Sequence, residues 1–261
     1  MGTPVGRGLT GNVRVDPDLA SASAALARHV ARQARDSVRE RGVFRWVLAG
    51  GSTPQALYHH LARRYCSTFP WANTAVYFGD ERCVGPDDPR SNFGAAREAL
   101  LSHVPVPRRA IHRLLGEVRP PSVSADRYER ALPPVSDPDG VRFDLVLLGI
   151  GPDGHTAFLF PNAPALRERR RSVVVVGRPG QPPVVSRLTF TLRALAESRE
   201  VCFLVAGAEK ADAVARIWSA PEGGTPELPA SLVRSRGPTR WFLDRAAAAG
   251  RTPGAKPPQS R

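Results

Sequence analysis

The run Phe143–Leu148 is apolar but for Asp144, and it ends in Gly149-Ile150-Gly151-Pro152-Asp153-Gly154-His155, which sets an acid two positions before an imidazole. Histidine is the side chain best suited to moving a proton near neutral pH, and Asp153 is placed to orient it. Glycine lets a backbone turn sharply and approach a ligand closely. Gly149, Gly151 and Gly154 favour that use over a histidine that only caps the next helix. A second charged group, Asp80-Glu81-Arg82, follows the apolar stretch 74–78. Asp80 could orient a hydroxyl or transfer a proton, and Arg82 could hold an anion. Three consecutive charges also make an ordinary surface turn.

Three further features suit an anion. Gly50, Gly51, Ser52 and Thr53 open a helix, where free N–H groups and the positive end of the helix dipole attract negative charge. The segment lacks both GK[ST] and GxGxxG spacing, so it is neither a Walker loop nor a dinucleotide fingerprint, and a plain capped turn is the alternative. Lys210 is one of only two lysines among 37 basic residues. It sits just past an apolar strand, where a compact ammonium can grip a phosphate as a point charge; a surviving surface lysine is the other reading. Arg187 interrupts the apolar run of "PPVVSRLTFTL", as a second anion ligand or as an edge residue with its head in water.

The elements that must position these residues alternate. Periodicity predicts a helix over 17–41, capped by Asp16 and stopped by Gly42, then a strand at 43–49 and a second helix through 55–65, capped by the hydroxyl of Ser52 or Thr53 with Pro54 in its first position. Strands are predicted at 74–78, 111–115, 143–149, 172–177, 184–188, 200–206 and 239–243, and helices near 91–103, 122–132, 191–197 and 208–219. Such alternation specifies an α/β fold, a Rossmann-like, mostly parallel sheet with helices on both faces. Ligands in such sheets bind beyond the carboxyl ends of strands, and each polar cluster above sits at one. A single domain over 11–245 is expected, with 1–10 and 246–261 as disordered tails.

Composition excludes several classes. No apolar run approaches the ~20 residues of a membrane helix, and the first fifteen residues lack the apolar core of a secretory signal. Cys66, Cys83 and Cys202 are scattered, without CxxC spacing, which argues against a disulfide framework or a zinc site and suits a reducing cytoplasm. The net charge of +13 raises the possibility of nucleic-acid binding, but the arginines are dispersed. Clusters such as "RERRR" at 167–171 are short and lack interleaved aromatics, so a solvated, arginine-biased surface is the simpler reading.

The chain resembles the 6-phosphogluconolactonases, grouped in one fold with glucosamine-6-phosphate deaminases and, more distantly, ribose-5-phosphate isomerases. The resemblance rests on "GGSTP", "FGDERCVGPDDPRSN", "FDLVLLGIGPDGHTAFLFP", "RLTFT", "GAEKA" and "PAS", in that order. It implies hydrolysis of 6-phosphoglucono-δ-lactone to 6-phosphogluconate in the oxidative pentose phosphate pathway. His155 would be the general base and Arg82 would hold or polarise the substrate, with Asp80 and Asp153 completing the catalytic set. The phosphate would sit on the Gly51–Thr53 loop with Arg187 and Lys210. No metal or organic cofactor, nucleic acid or membrane is implied, and a monomer or weak oligomer in the cytoplasm is expected. Deaminases typically read DEY at Asp80-Glu81-Arg82 and carry a glutamate where this chain has Phe160, which favours the lactonase. One departure stands out: Phe158 replaces the serine usual in lactonases, a local lean towards the deaminase pattern.

Overall fold

The computed structural model of the protein describes residues 12–135, 140–177 and 185–250. The strands are β1 (Asn12–Asp16), β2 (Phe44–Leu48), β3 (Thr74–Phe78), β4 (Asp80–Arg82), β5 (Phe143–Leu148), β6 (Val173–Val176), β7 (Arg187–Phe190), β8 (Ser198–Val205) and β9 (Thr239–Asp244). The α-helices are α1 (Leu19–Arg41), α2 (Thr53–Arg64), α3 (Asn92–Ala96), α4 (Pro121–Ala131), α5 (Leu192–Ala196), α6 (Ala211–Trp218) and α7 (Arg245–Ala248). Six strands form one sheet in the order β1-β9-β8-β5-β2-β3, with every neighbouring pair parallel. β5 is buried along its whole length, as a central parallel strand covered on both faces must be.

The two faces of β8 show how the layers stack. Glu200 meets His29 of α1 at 2.9 Å. Phe203, three residues on and so pointing the other way, stacks on Trp241 at 4.0 Å, and Trp241 meets Trp218 of α6 at 6.4 Å. Helices therefore cover both faces. His29, Glu200 and buried Cys202 bring potential metal-ligand atoms within 4.8 Å of one another, but these groups are already engaged. Arg32 donates to His29 Nδ1 at 3.0 Å, leaving the proton on Nε2 for Glu200, and Arg240 also donates to Glu200. This is a bonded network joining α1 to the sheet.

The strand and helix pattern is largely as the sequence predicts, with local differences. α1 is capped by Asp18, which accepts from Ser21 N at 2.7 Å, while Asp16 takes the guanidinium of Arg14. Only Asp18 sits at the turn where the first free N–H groups point back at the chain. Gly42 does end the helix, with φ +73°. The strand predicted at 111–115 is a single bridge from Ile111 to Val76. The strand predicted at 184–188 begins at Arg187, residue 184 lying outside the described residues, and it runs antiparallel. Within the stretch expected as a tail from 246, α7 runs to Ala248 and buries Ala247 and Ala248. Residues 1–11 and 251–261 lie outside the described residues.

The unforeseen feature is a second sheet, order β4-β7-β6, antiparallel throughout. Its anchor is Phe190, fully buried and stacked at 5.4 Å on Phe143 of the main sheet, whose ring in turn meets Tyr77 of β3 at 5.4 Å. Phe190→Ala is expected to destabilise the fold by about 3–5 kcal/mol, the usual cost of removing a fully buried Phe ring. Phe190→Leu, which keeps most of the volume, should cost less than about 1.5 kcal/mol. Denaturant unfolding of both variants checks this; equal small losses would mean that the ring does not hold the two sheets together.

Candidate active site

β8, β5 and β2 are neighbours at the centre of the main sheet. Just beyond their carboxyl ends lies a cavity of about 240 Å³, bordered by Gly50–Thr53 after β2, Gly149–Pro152 and His155 after β5, and Ala206, Glu209 and Lys210 after β8. Asp80 and Arg82 reach the same cavity from β4 of the small sheet.

The loop after β5 is tied by its own hydrogen bonds. Gly151 N donates to His155 O at 2.8 Å, and Thr156 Oγ1 donates to Gly149 O at 2.8 Å. This turn brings His155 Nδ1 to 2.6 Å from Asp153 Oδ1, and His155 N donates to the same oxygen at 3.1 Å. A carboxylate can only accept, so Nδ1 carries the proton and Nε2 keeps the lone pair a general base needs. Gly151 is required by packing: a Cβ there would lie 2.1 Å from Nδ1 and 2.6 Å from the Asp153 oxygen. Burial raises the pKa of Asp153, but the hydrogen bonds from His155 outweigh it and hold the acid below the usual aspartate range.

Asp80 is buried and accepts from Asn92 Nδ2 at 2.7 Å. Burial pushes its pKa up, opposed by Arg82, Asn92, His155 and Arg187. Glu81 does not border the cavity. Its carboxylate accepts from Asn92 N (2.7 Å), Phe93 N (2.8 Å), Arg82 N (2.8 Å) and Ser91 Oγ (3.0 Å). These bonds pin the start of α3 to β4; burial raises the pKa of Glu81 while the donors oppose it. Arg82 donates to Arg90 O at 2.5 Å, and its Nε is buried without an acceptor among the described residues. A buried unpaired donor beside a cavity suits a ligand oxygen.

Another part of the cavity is formed by the N-terminus of α2 and the β8–α6 turn. Gly51 has φ +96°, a conformation that favours glycine, and any Cβ at Gly50 would collide with Asn92. Ser52 is already helical and makes no side-chain cap bond, so the expected hydroxyl cap is not how α2 starts. The turn is braced from behind by Tyr58, whose hydroxyl donates to Ala49 O at 2.7 Å and accepts from Ala49 N at 3.0 Å. Lys210 lines the same cavity as the N-terminus of α2.

Two expectations change. Asp153 does not border the cavity but is hydrogen-bonded to His155, which does, and Arg187 is not on its wall either. Arg187 pairs in register with Arg82 across β4 and β7 and is only 4% exposed. Phe158 covers it, with the guanidinium 4.2 Å from the ring centroid, while Arg82 lies 5.4 Å from the same ring. Burial, then repulsion from Arg82, lower the pKa of Arg187, and Asp80 opposes them. Phe158 itself is brought to the cavity by Ala157, a non-glycine residue at φ +48°. Sequence reasoning gave no role to Asn92, Tyr58 or Glu209. Asn92 and Tyr58 act through contacts remote in sequence, and Glu209 was legible only as the neighbour of Lys210.

A carboxylate-oriented histidine beside a cationic, glycine-rich anion cradle, at the strand ends of a parallel sheet, defines an acid–base enzyme for a small anionic substrate. Residues 17–241 match the sequence profile of the glucosamine-6-phosphate isomerases/6-phosphogluconolactonase family, and the chain belongs to that family. It is 41% identical to a 6-phosphogluconolactonase of Synechocystis over 214 residues, 81% of this chain and 86% of the relative. A 6-phosphogluconolactonase of Mycobacterium tuberculosis is 36% identical, with 92% of this chain and 98% of the relative covered. Among solved structures, the 6-phosphogluconolactonase of Thermotoga maritima superposes with a TM-score of 0.78 at 31% identity, covering 90% of this chain and 99% of that one.

The depressed pKa of Asp153 gives a pH test. A carboxylate held below its unfolded value adds stability above the ordinary aspartate range, near pH 4, and loses it as the pH falls through its folded value. Asp153→Asn should therefore melt below the parent at pH 7, with the gap closing below about pH 3–4. Melting curves from pH 3 to 8 measure this; a gap that stays constant across the range would mean that the His155 pairing does not stabilise the loop.

Proposed function

We propose that the protein hydrolyses 6-phosphoglucono-δ-lactone to 6-phosphogluconate. The observation that carries this reading is the His155–Asp153 pair opening onto the same cavity as the Gly50–Thr53 turn and Lys210. The phosphate lies on the N–H groups at the start of α2 with Lys210, which places C1 of the lactone towards His155. Nε2 of His155 takes a proton from water as the water oxygen bonds to C1. Arg82 steadies the carbonyl oxygen as it becomes an oxyanion, and collapse breaks the bond from C1 to the ring oxygen, which leaves as the C5 hydroxyl after taking a proton. Asp153 holds the imidazole throughout, and Asp80, beside Arg82, is placed to orient the sugar hydroxyls. Arg187, behind Phe158, contributes positive charge rather than contact. Phe160 lies 4.8 Å from the His155 ring, so no carboxylate stands there for the proton transfers of a ring-opening isomerase. The relatives named 6-phosphogluconolactonase support the same substrate.

The decisive assay is lactone hydrolysis by purified protein, corrected for spontaneous opening. His155→Ala should lower kcat by ~10²–10⁴-fold with little change in product binding; activity within a few-fold of the parent would remove His155 from the mechanism.

The phosphate site has its own test. Lys210→Arg should weaken 6-phosphogluconate binding about tenfold, or ~1.4 kcal/mol, because the larger planar guanidinium fits a confined site badly. Calorimetric titration checks this, with Lys256→Arg as the control. Equal affinity in all three proteins would leave the phosphate to the glycine turn alone.

A further inference from the structure

A groove of about 510 Å³ shares no residue with the cavity. Its walls are apolar, from Leu166, Leu192 and Leu232, and its rim carries Arg167, Arg169, Arg193 and Arg234, with no acidic residue along it. The arginine-rich stretch 167–171 supplies half of that rim.

Two of these guanidiniums are held by backbone carbonyls, and three of the four have no counter-charge among the described residues. Arg169 donates to Leu166 O at 3.0 Å, and Arg234 donates to Ser231 O and Val233 O, each at 2.8 Å. Each such bond uses one group of a five-donor fork. Among the described residues Arg167, Arg169 and Arg234 form no ion pair, and only Arg193 has one, with Glu197 at 3.3 Å. Glu168, the nearest acid in sequence, points its carboxylate at the backbone N–H groups of Arg170 (2.6 Å) and Arg171 (3.0 Å). Four like charges around one concavity repel one another, and a bound polyanion relieves that repulsion. The volume falls within the ~300–1,000 Å³ typical of small-molecule sites, and the leucine walls suit an apolar or planar body between the charged groups.

We propose that this groove binds a small organic polyanion, with two or more phosphate or carboxylate groups on an apolar or planar body. The groove also adjoins the catalytic loop. Asn162, on its wall, donates from its backbone to Pro226 O at 2.9 Å, and Ala230 N donates to Gly154 O at 3.0 Å, next to His155.

The test is calorimetric titration of the full chain, at an ionic strength of ~0.15 M, with magnesium-free adenosine triphosphate as probe and tripolyphosphate as its bodiless counterpart. The nucleotide should bind, and tripolyphosphate more weakly. The Arg167→Ala/Arg234→Ala double variant should lose about tenfold in affinity or more, while lactone hydrolysis without the nucleotide is unchanged. The exposed Arg63→Ala/Arg64→Ala pair removes the same charge elsewhere and should stay within about twofold, as should Lys210→Ala. Arg167→Glu, at an exposed residue, gives a second reading if loss of the Arg234 bonds unfolds the double variant. Equal losses in the two double variants would reduce the effect to diffuse surface charge. A loss confined to Lys210→Ala would move it to the catalytic cavity, and no binding to the parent would end the proposal.

Discussion

The 2.6 Å hydrogen bond between His155 Nδ1 and Asp153 is the interaction on which the site turns. It fixes the imidazole tautomer, so that the lone pair is on the nitrogen not bound to the acid. The bond needs a five-residue turn from Gly151 to His155, closed by Gly151 N on His155 O, and an empty position where the Gly151 Cβ would be. That turn has a defined place only because β5 ends there, buried on both faces between β8 and β2. The parallel sheet thus supplies position, the glycine supplies clearance, and the acid supplies orientation.

A second constraint governs how charge enters the cavity. Asp80 and Arg82 belong to the small sheet and must be held against the main one, although Asp80 is buried. Glu81, between them, points the other way and gathers four donors from Arg82, Ser91, Asn92 and Phe93. A buried carboxylate is costly unless it is fully hydrogen-bonded; here the bonds also lock β4 to α3. Asn92 in turn donates to Asp80 and fills the space beside Gly50. One buried acid therefore couples the histidine side of the site to its anion side.

Much of this was legible from residue types alone. The alternation of apolar and amphipathic runs gave the main sheet, and the polar clusters at strand ends gave the cavity, because parallel sheets place ligands there. What escaped were features decided by distant partners. β4 is three residues long and charged throughout, so nothing local marks it as a strand; it exists because β7 pairs with it. The same pairing explains Arg187, read as a phosphate ligand from its odd position in an apolar run but screened from the cavity by Phe158. Asp16 is the cap read from the sequence, but the geometry of the first turn gives that place to Asp18, two residues on.

The ring of Phe158 has a consequence for how this site could diverge. It contacts two guanidiniums that share a register position on neighbouring strands, and only Arg82 reaches the cavity wall. The bond that fixes Phe158 in the chain is made by its backbone, from N–H to Thr189 Oγ1 at 3.1 Å, and does not depend on the ring. Truncating that one side chain would leave this backbone bond in place while removing one of the two rings over Arg187, the other being Phe160 at 5.4 Å. The cover over a buried positive charge is thus adjustable one ring at a time, without rebuilding the scaffold. A lineage carrying the aromatic ring holds a latent cation whose exposure evolution can switch on separately from the catalytic histidine.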